Sequence, residues 1–304
     1  MIQLKNIHSD ALHDVSITVP QGVKTVLLGG ANSGKSAVCD IACGVTVPDS
    51  GEVWIDSESM ITDAYEAKRL VGYVPQDPAM FRDMTVRSQL KFIGQVREMG
   101  AHAIAERVDA LVKQTGLDDV ANIAIRSLPA VYLPRVALAI ALMQDGGNLV
   151  LDCPTANMDT KQVFEFRRIL KDACGDLSVL IATDNLNEAL FLGDEVYVLE
   201  DGRVTGCGTM AHLNDLMLDN DRVRVAVAGE ASALEDALKT IGMEYTGCAA
   251  RDGIARAEVT AGQGWAGCAK LSAALLNAGL PVVELTKLPR SLEEVAAKLT
   301  VDAQ

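Results

Sequence analysis

The sequence contains no apolar run long enough to cross a membrane. Its longest, "VALAIALM" from Val136 to Met143, is about half the roughly 20 residues a spanning helix requires. The first residues, "MIQLKNIHSD", lack a basic segment followed by an apolar stretch, so neither a secretory signal nor a transit peptide is expected and the cytoplasm is the default compartment. Positive charge is scarce. Lys and Arg number 27 against 41 Asp and Glu, a formal net charge of −14, and no cluster of basic residues occurs. A nucleic-acid surface or an anionic-membrane surface needs such a cluster, so both are excluded, although a local basic pocket is compatible with these numbers. The seven cysteines show no metal-type clustering: Cys39 and Cys43 are four positions apart, and no second Cys or His pair answers them. They read as small core fillers in a reducing compartment rather than as a metal site.

The chain has enough apolar residues, 49%, for a sizeable core, and its 304 residues suggest one large domain with a smaller one attached. "IQLKNI", "VSITV" and "KTVLLGG" read as short strands, the third as apolar as a buried strand should be. It runs into "GGANSGKS", the pattern G-x-x-x-x-G-K-S from Gly29 to Ser36, and then into the helical "KSAVCDIACG". Strand, glycine loop and helix in that order are the context in which this pattern marks a phosphate-binding loop. The glycines let backbone N–H groups of Gly29, Gly30, Ala31, Asn32, Ser33 and Gly34 close around a phosphate, and the helix start adds the positive end of its dipole. Lys35 reaches the β- and γ-phosphates, and Ser36 supplies a hydroxyl to Mg²⁺. The second protein oxygen on that metal should come from a carboxylate ending another buried strand, and Asp152 ends "NLVLD". These features alone do not choose among kinases, GTPases and transport ATPases.

Three further segments do choose. "VGYVPQD" places Gln76 after a strand downstream of Lys35, "SLPAVYLPRVALAIALMQ" precedes Asp152, and "CPTANMD" follows it. With them the chain resembles the ATP-binding cassette (ABC) ATPases over residues 1–217, in the family's order of Walker A, Q-loop, signature helix, Walker B, D-loop and H-loop. The resemblance implies ATP and Mg²⁺ as ligands, with Ser36, Gln76 and Asp152 toward the metal. It also makes Gln76 a sensor of a transmembrane partner. "TANMD" through Asp159 resembles the D-loop, and "SVLIATD" followed by "NLNEALFLGDEVYVLEDGRV" resembles the H-loop region and a closing hairpin that turns at Asp201–Gly202. The amphipathic "TVRSQLKFIGQVREMG" and "AIAERVDALVKQTG" fit the helical subdomain, about residues 78–145, that docks on a permease; solvated structural helices are the plainer alternative. The implied fold is an α/β P-loop NTPase: a RecA-like parallel sheet core, an antiparallel β subdomain and a helical subdomain.

The departures from the family carry as much information. Where the family has its catalytic glutamate, directly after the Walker B aspartate, stands Cys153, and a thiol with an ordinary pKa of about 8.5 is a poor general base at neutral pH. Where the family has the H-loop histidine stands Asp184, which accepts hydrogen bonds only and repels a phosphate. Where the family reads L-S-G-G-Q, the chain reads "LPAVY". Pro129 removes a backbone donor, and Ala130 and Val131 put side chains where phosphate should approach. Pro134 still suits a first helical turn, so the scaffold persists without its contact surface. The family's adenine-stacking aromatic has no counterpart in "NIHSDALHD" beyond His8, a weak substitute. Together these changes point to a cassette deficient in hydrolysis.

From about residue 218 to 304 the pattern becomes β-α-β-β-α-β, with an Asp252–Gly253 turn between the middle strands, which predicts a small α+β ferredoxin-like domain. Its end, "SLEEVAAKLT", reads as a helix with Ser291 and Glu294 as a capping box, and "SLEEV" resembles the C-terminal extension of ABC-2-type exporter ATPases. Dimer-stabilising or regulatory packing is the expected role. The leading reading is therefore an ATP-binding transporter subunit on the cytoplasmic face of a membrane, working with permease subunits and a second ABC subunit, as homo- or heterodimer. An ATP-responsive regulatory or assembly module without transport, and an ordinary hydrolysing ABC ATPase, stand as alternatives.

Overall fold

The computed structural model describes residues 1–156, 158–218, 222–262 and 264–288. Asn157 of the "TANMD" segment and the expected capping box at Ser291 and Glu294 lie outside them. Two compact units are present, Met1–Met210 and a second beginning at Ala211.

In the first unit, β1 (Ile2–Ser9) and β2 (Leu12–Val19) form a hairpin in which Ser9 pairs with Leu12, leaving Asp10–Ala11 as its turn. β2 alternates as a half-covered strand does, with Leu12, Val15, Ile17 and Val19 inside. β3 (Lys24–Leu28) instead enters a central sheet, while β4 (Ser50–Ile55) and β5 (Glu58–Ser59) extend the hairpin into a four-stranded antiparallel sheet. β6 (Val71–Val74), β7 (Asn148–Asp152), β8 (Ser178–Thr183), β9 (Glu195–Glu200) and β10 (Arg203–Thr209) complete the central sheet in the order β10-β9-β3-β8-β7-β6. All neighbours in it are parallel except the β9–β10 hairpin. β7 and β8 are buried at every position, as their unbroken apolar runs require of central parallel strands.

Helix Lys35–Ala42 lies between the two sheets and packs Val38, Cys39, Ile41 and Ala42 against Ile2, Leu4, Ile17, Ile55, Leu27, Val150 and Leu180. Cys39 and Cys43 are core fillers in this cluster, and burying each large aliphatic there contributes about 1.5–3 kcal/mol. Between β6 and β7 the chain is helical. Thr85 caps Val86–Val96 by accepting from the Ser88 N–H, and Gly94 lets Ala101–Gln114 approach, since a Cβ there would lie 2.8 Å from Ile104 Cγ1. Helix Leu133–Ala141 follows, with Pro134 in its first turn, where a missing N–H costs nothing. Asp159 and Gln162 form a reciprocal capping box on helix Thr160–Cys174.

The second unit comprises β11 (Arg222–Ala228), β12 (Tyr245–Arg251), β13 (Ile254–Thr260) and β14 (Val282–Lys287), with helix Ala231–Ile241 between β11 and β12 and helix Gly264–Asn277 between β13 and β14. The order β12-β13-β11-β14, antiparallel throughout, is that of a ferredoxin-like sheet. Its core joins Val223, Val225 and Val227 to Leu234, Leu238, Leu271 and Leu275. Asp252 and Gly253, with φ of 55° and 74°, make the two-residue turn that right-twisted strands favour, as do Asp201 and Gly202 at 45° and 71° in the first unit.

Candidate nucleotide-binding site

The ends of β3, β8, β7 and β6 converge on one edge of the central sheet, and every residue singled out from the Gly29–Ser36 loop, Gln76, Asp152 and Asp184 lies at that edge. Gly29 closes the loop against the sheet: a Cβ there would lie 2.4 Å from the Leu199 carbonyl and 2.6 Å from Ser33 Oγ. Gly34 sits at φ 101°, a conformation open to glycine, and opens helix Lys35–Ala42 with no side-chain cap and no acidic residue in the first turn. The helix therefore presents uncommitted N–H groups and its positive dipole end to the loop interior. The Lys35 ammonium, 7% exposed, donates to the Gly29 and Gly30 carbonyls at 2.8 and 2.6 Å. That aims a cation into the loop. Ala31, Asn32 and Ser36 are exposed beside it, and Asn32 takes a φ of 62°.

Asp152 closes β7 with 3% of its surface exposed, and its Oδ1 has no partner in the protein. A carboxylate oxygen buried without a partner is costly unless something is bound to it. A divalent cation fits that orphaned atom, with the Ser36 hydroxyl and the Gln76 amide as further oxygen donors, since Mg²⁺ prefers hard oxygen ligands. Gln76 lies two residues past β6, which pairs with β7 in parallel register.

Cys153 takes a left-handed φ of 49°, with its N–H donating to the Ala182 carbonyl at 2.9 Å. Burial pushes its thiol up to about 12, reinforced by the Asp152 charge and by a hydrogen bond from the thiol to that carboxylate; Lys35 opposes the shift. The thiol is thus protonated at neutral pH, a donor rather than a base. Asp184 follows β8 and is exposed. Its neighbours hold it beside the loop: the Thr183 carbonyl accepts from Gly29 N–H at 3.3 Å, Thr183 Oγ1 donates to Glu188 at 2.6 Å, and Asn185 caps helix Leu186–Leu192.

Pro129 is extended, Ala130–Tyr132 forms a single 3₁₀ turn, and the α-helix begins at Leu133. Ala130, Val131 and Pro134 line a cleft of about 240 Å³ together with Gln76, Cys153 and Phe166. The wall of this cleft is mostly apolar where a phosphate-binding helix start would offer N–H groups and a hydroxyl.

Two features of the site had no local signal. The Tyr73 hydroxyl donates to Asp40 at 2.8 Å, tying the strand before Gln76 to the helix after the loop. Gly202 N–H donates to the Ser33 carbonyl at 3.0 Å and its carbonyl accepts from His13 N–H at 2.8 Å, so the β9–β10 turn clamps the loop.

A glycine loop between a buried parallel strand and a helix, with a lysine aimed inward and a buried carboxylate ending a strand of the same sheet, defines a P-loop nucleotide-binding protein. Residues 12–156 match the ABC transporter family, and the chain carries an ABC transporter ATP-binding domain. ATP-binding cassette sub-family A member 17 of Rattus norvegicus is 31% identical over 203 residues, 67% of this chain and 11% of that protein. The molybdate/tungstate import ATP-binding protein WtpC of Thermococcus kodakarensis is 31% identical over 201 residues, covering 65% of this chain and 60% of its own. Among solved structures, CbiO1 of Clostridium perfringens, part of the ABC transporter complex CbiONQ, superposes with a TM-score of 0.64 at 25% identity, over 70% of this chain and 90% of that one. An ABC cassette solved as a dimer in a post-hydrolysis state with ADP and Pi gives 0.61 at 25% identity, over 69% and 99%. This chain therefore spans about a tenth of the length of the sub-family A relative. Among the described residues no helix is long and apolar enough to cross a membrane.

Proposed function

We propose that this chain is the ATP-binding subunit of an ABC transporter of the ABC-2 exporter type, in which ATP occupancy drives a membrane permease and hydrolysis is weak or absent. The observation that carries the reading is Cys153: a thiol held up to about 12 stands directly after Asp152, where the family places its general base. Losing a general base costs on the order of 10²- to 10⁴-fold, and losing a charge-stabilising donor, as at Asp184, about 10²- to 10³-fold, without simple additivity. Phosphate binding, by contrast, retains Gly29, Gly34, Lys35, Ser36 and Asp152. Ser36, Gln76 and Asp152 would hold Mg²⁺, which would supply charge neutralisation to the phosphates, and Lys35 would orient them.

By family resemblance, each ATP in a cassette dimer lies between one subunit's Walker motifs and the other's signature. In a pair with an intact cassette, the site on this chain's P-loop lacks glutamate and histidine, and the opposite site faces "LPAVY". Both are impaired, so ATP serves to hold or switch a conformation, which requires unequal affinity for two states. The chain then sits on the cytoplasmic face of the membrane through its permease, with the C-terminal domain, residues 218–304, packing in a dimer or regulating it.

Calorimetry and phosphate release test this together. Mg²⁺-dependent ATP binding abolished by Lys35→Ala, with slow turnover in the complex with its permease, is expected. Equal ATP affinity in wild type and Lys35→Ala would refute the site, and brisk hydrolysis in the unmodified complex would refute the occupancy mechanism.

A further inference from the structure

The central strands β7 and β8 carry apolar side chains on both faces. Val150 and Leu180 pack with helix Lys35–Ala42, so Leu151 and Ile181, next along each strand, look to the other face of the sheet. Between them and the C-terminal halves of helices Thr160–Cys174 and Leu186–Leu192 lies a cavity of about 270 Å³. Leu170 and Cys174 line it from the first helix and Leu192 from the second. Protein interiors hold few voids larger than a water molecule, and an apolar cavity of about 150 Å³ already takes up benzene. This one has room for a ligand with a longer apolar body. It opens to solvent at Lys171 and at Phe191, which is 40% exposed.

The charged groups of the cavity are two lysines and one aspartate. Lys171 Nζ lies over the Phe191 ring, 5.4 Å from its centre. The Lys24 ammonium donates to the Gly22 carbonyl at 3.1 Å and to the carbonyl of Gly175, at the end of helix Thr160–Cys174, which leaves one of its three N–H donors. Burial pushes the Cys174 thiol up to about 12 and the Lys24 charge opposes that shift, so the ammonium stands beside the cavity wall. The Asp194 carboxylate accepts from the Lys24 backbone N–H at 2.9 Å rather than from the ammonium. Among the described residues neither lysine forms an ion pair. Two cations beside one engaged carboxylate, at an apolar cavity, complement an anion that carries an apolar chain.

We propose that this cavity binds a small amphiphilic carboxylate, with its chain against Leu151, Leu170 and Ile181 and its head toward Lys24 and Lys171. Lys24 begins β3 and the glycine loop follows the end of that strand, roughly 16 Å away at about 3.3 Å per residue. The head therefore lies apart from the nucleotide loop, and the proposal does not depend on the nucleotide reading.

Isothermal calorimetry on the full chain with octanoate, octanol and octylammonium tests this, since the three share a chain and differ in the charge of the head. Octanoate should bind at one site with a Kd of about 1 mM or tighter, octanol at least about fivefold more weakly, and octylammonium not at all. Lys24→Met should weaken octanoate about tenfold or more, and Lys171→Met, on the surface, about two- to fivefold, each with little effect on octanol. Cys174→Leu fills the cavity and should abolish binding of octanoate and octanol together. No binding of octanoate, or equal binding of octylammonium, overturns the proposal. So does octanoate affinity unchanged in both lysine variants, or unchanged in folded Cys174→Leu; if that variant does not fold, the two lysine variants decide.

Discussion

Replacing Asp152 by asparagine should stabilise the ligand-free chain and remove its response to Mg²⁺·ATP. The carboxylate is 3% exposed, its Oδ1 has no partner, and the nearby Lys35 ammonium is engaged by the Gly29 and Gly30 carbonyls. Leaving a buried polar group unpaired costs about 1–3 kcal/mol, and more when it is charged. A neutral amide removes the charge penalty but keeps polar atoms in the same place, so the gain falls toward the lower end, about 1–2 kcal/mol. A domain of this size moves by about 2–4 °C per kcal/mol, so the midpoint of the ligand-free variant should rise by about 2–8 °C. Wild type in the presence of ATP at about 100 times its Kd gains about 2.7 kcal/mol, a further rise of about 5–11 °C, and the variant should show none of it. Thermal unfolding with and without Mg²⁺·ATP reads both effects. A ligand-free midpoint below wild type, or a ligand shift more than half the wild-type value, would refute the assignment of Asp152 as a metal-facing group.

Cys153→Glu alone should leave phosphate release slow, because Asp184 and the Pro129–Tyr132 segment remain unsuited and residues acting as a unit fail as a unit; release at ordinary ABC rates in that single variant would count against the reading. The Cys153 and Cys174 thiols are both pushed up to about 12 by burial. Folding thus favours their neutral form: the stability they contribute is complete below about pH 8.5, where unfolded thiols titrate, and is lost as pH rises toward 12. Melting midpoints should decline above pH 9, more shallowly in a Cys153→Ala/Cys174→Ala variant, and identical profiles for the two proteins would contradict the burial account. Gly202→Ala should cost about 1–3 kcal/mol, read as a lower midpoint, because φ is 71° and its Cβ would lie 2.3 Å from the Ala11 carbonyl. An unchanged midpoint would mean that the turn does not clamp the loop.

Much of the fold was legible because its signals are local. The strand–loop–helix around Gly29–Ser36, the apolar run ending in Asp152, the Asp201–Gly202 and Asp252–Gly253 turns and the Pro134 helix start are each written in a few consecutive residues, and all appear where expected. The amphipathic segments became helices Val86–Val96 and Ala101–Gln114 with their apolar faces inward. β5, with two residues, and helix Ala64–Arg69, with six, are too short to carry a periodicity and were not legible. Helix Thr160–Cys174 does have a local signal, since Asp159 and Gln162 sit at capping-box spacing.

The residue types at the candidate site, and the substitutions at Cys153, Asp184 and Pro129, were determined by sequence alone, since identity and spacing along the chain define them. Tertiary structure decided their environment. That Asp152 Oδ1 is left without a partner, and that burial raises the Cys153 thiol, depend on how β7 and β8 are enclosed by elements distant in the chain. The meeting of Ala11, Gly34 and Gly202 at one point arises only when the β1–β2 and β9–β10 hairpins close on the P-loop. Such contacts join residues that no local propensity relates. Only the packing of the whole chain brings them together, and that packing decides which charges are solvated, paired or left open to a ligand.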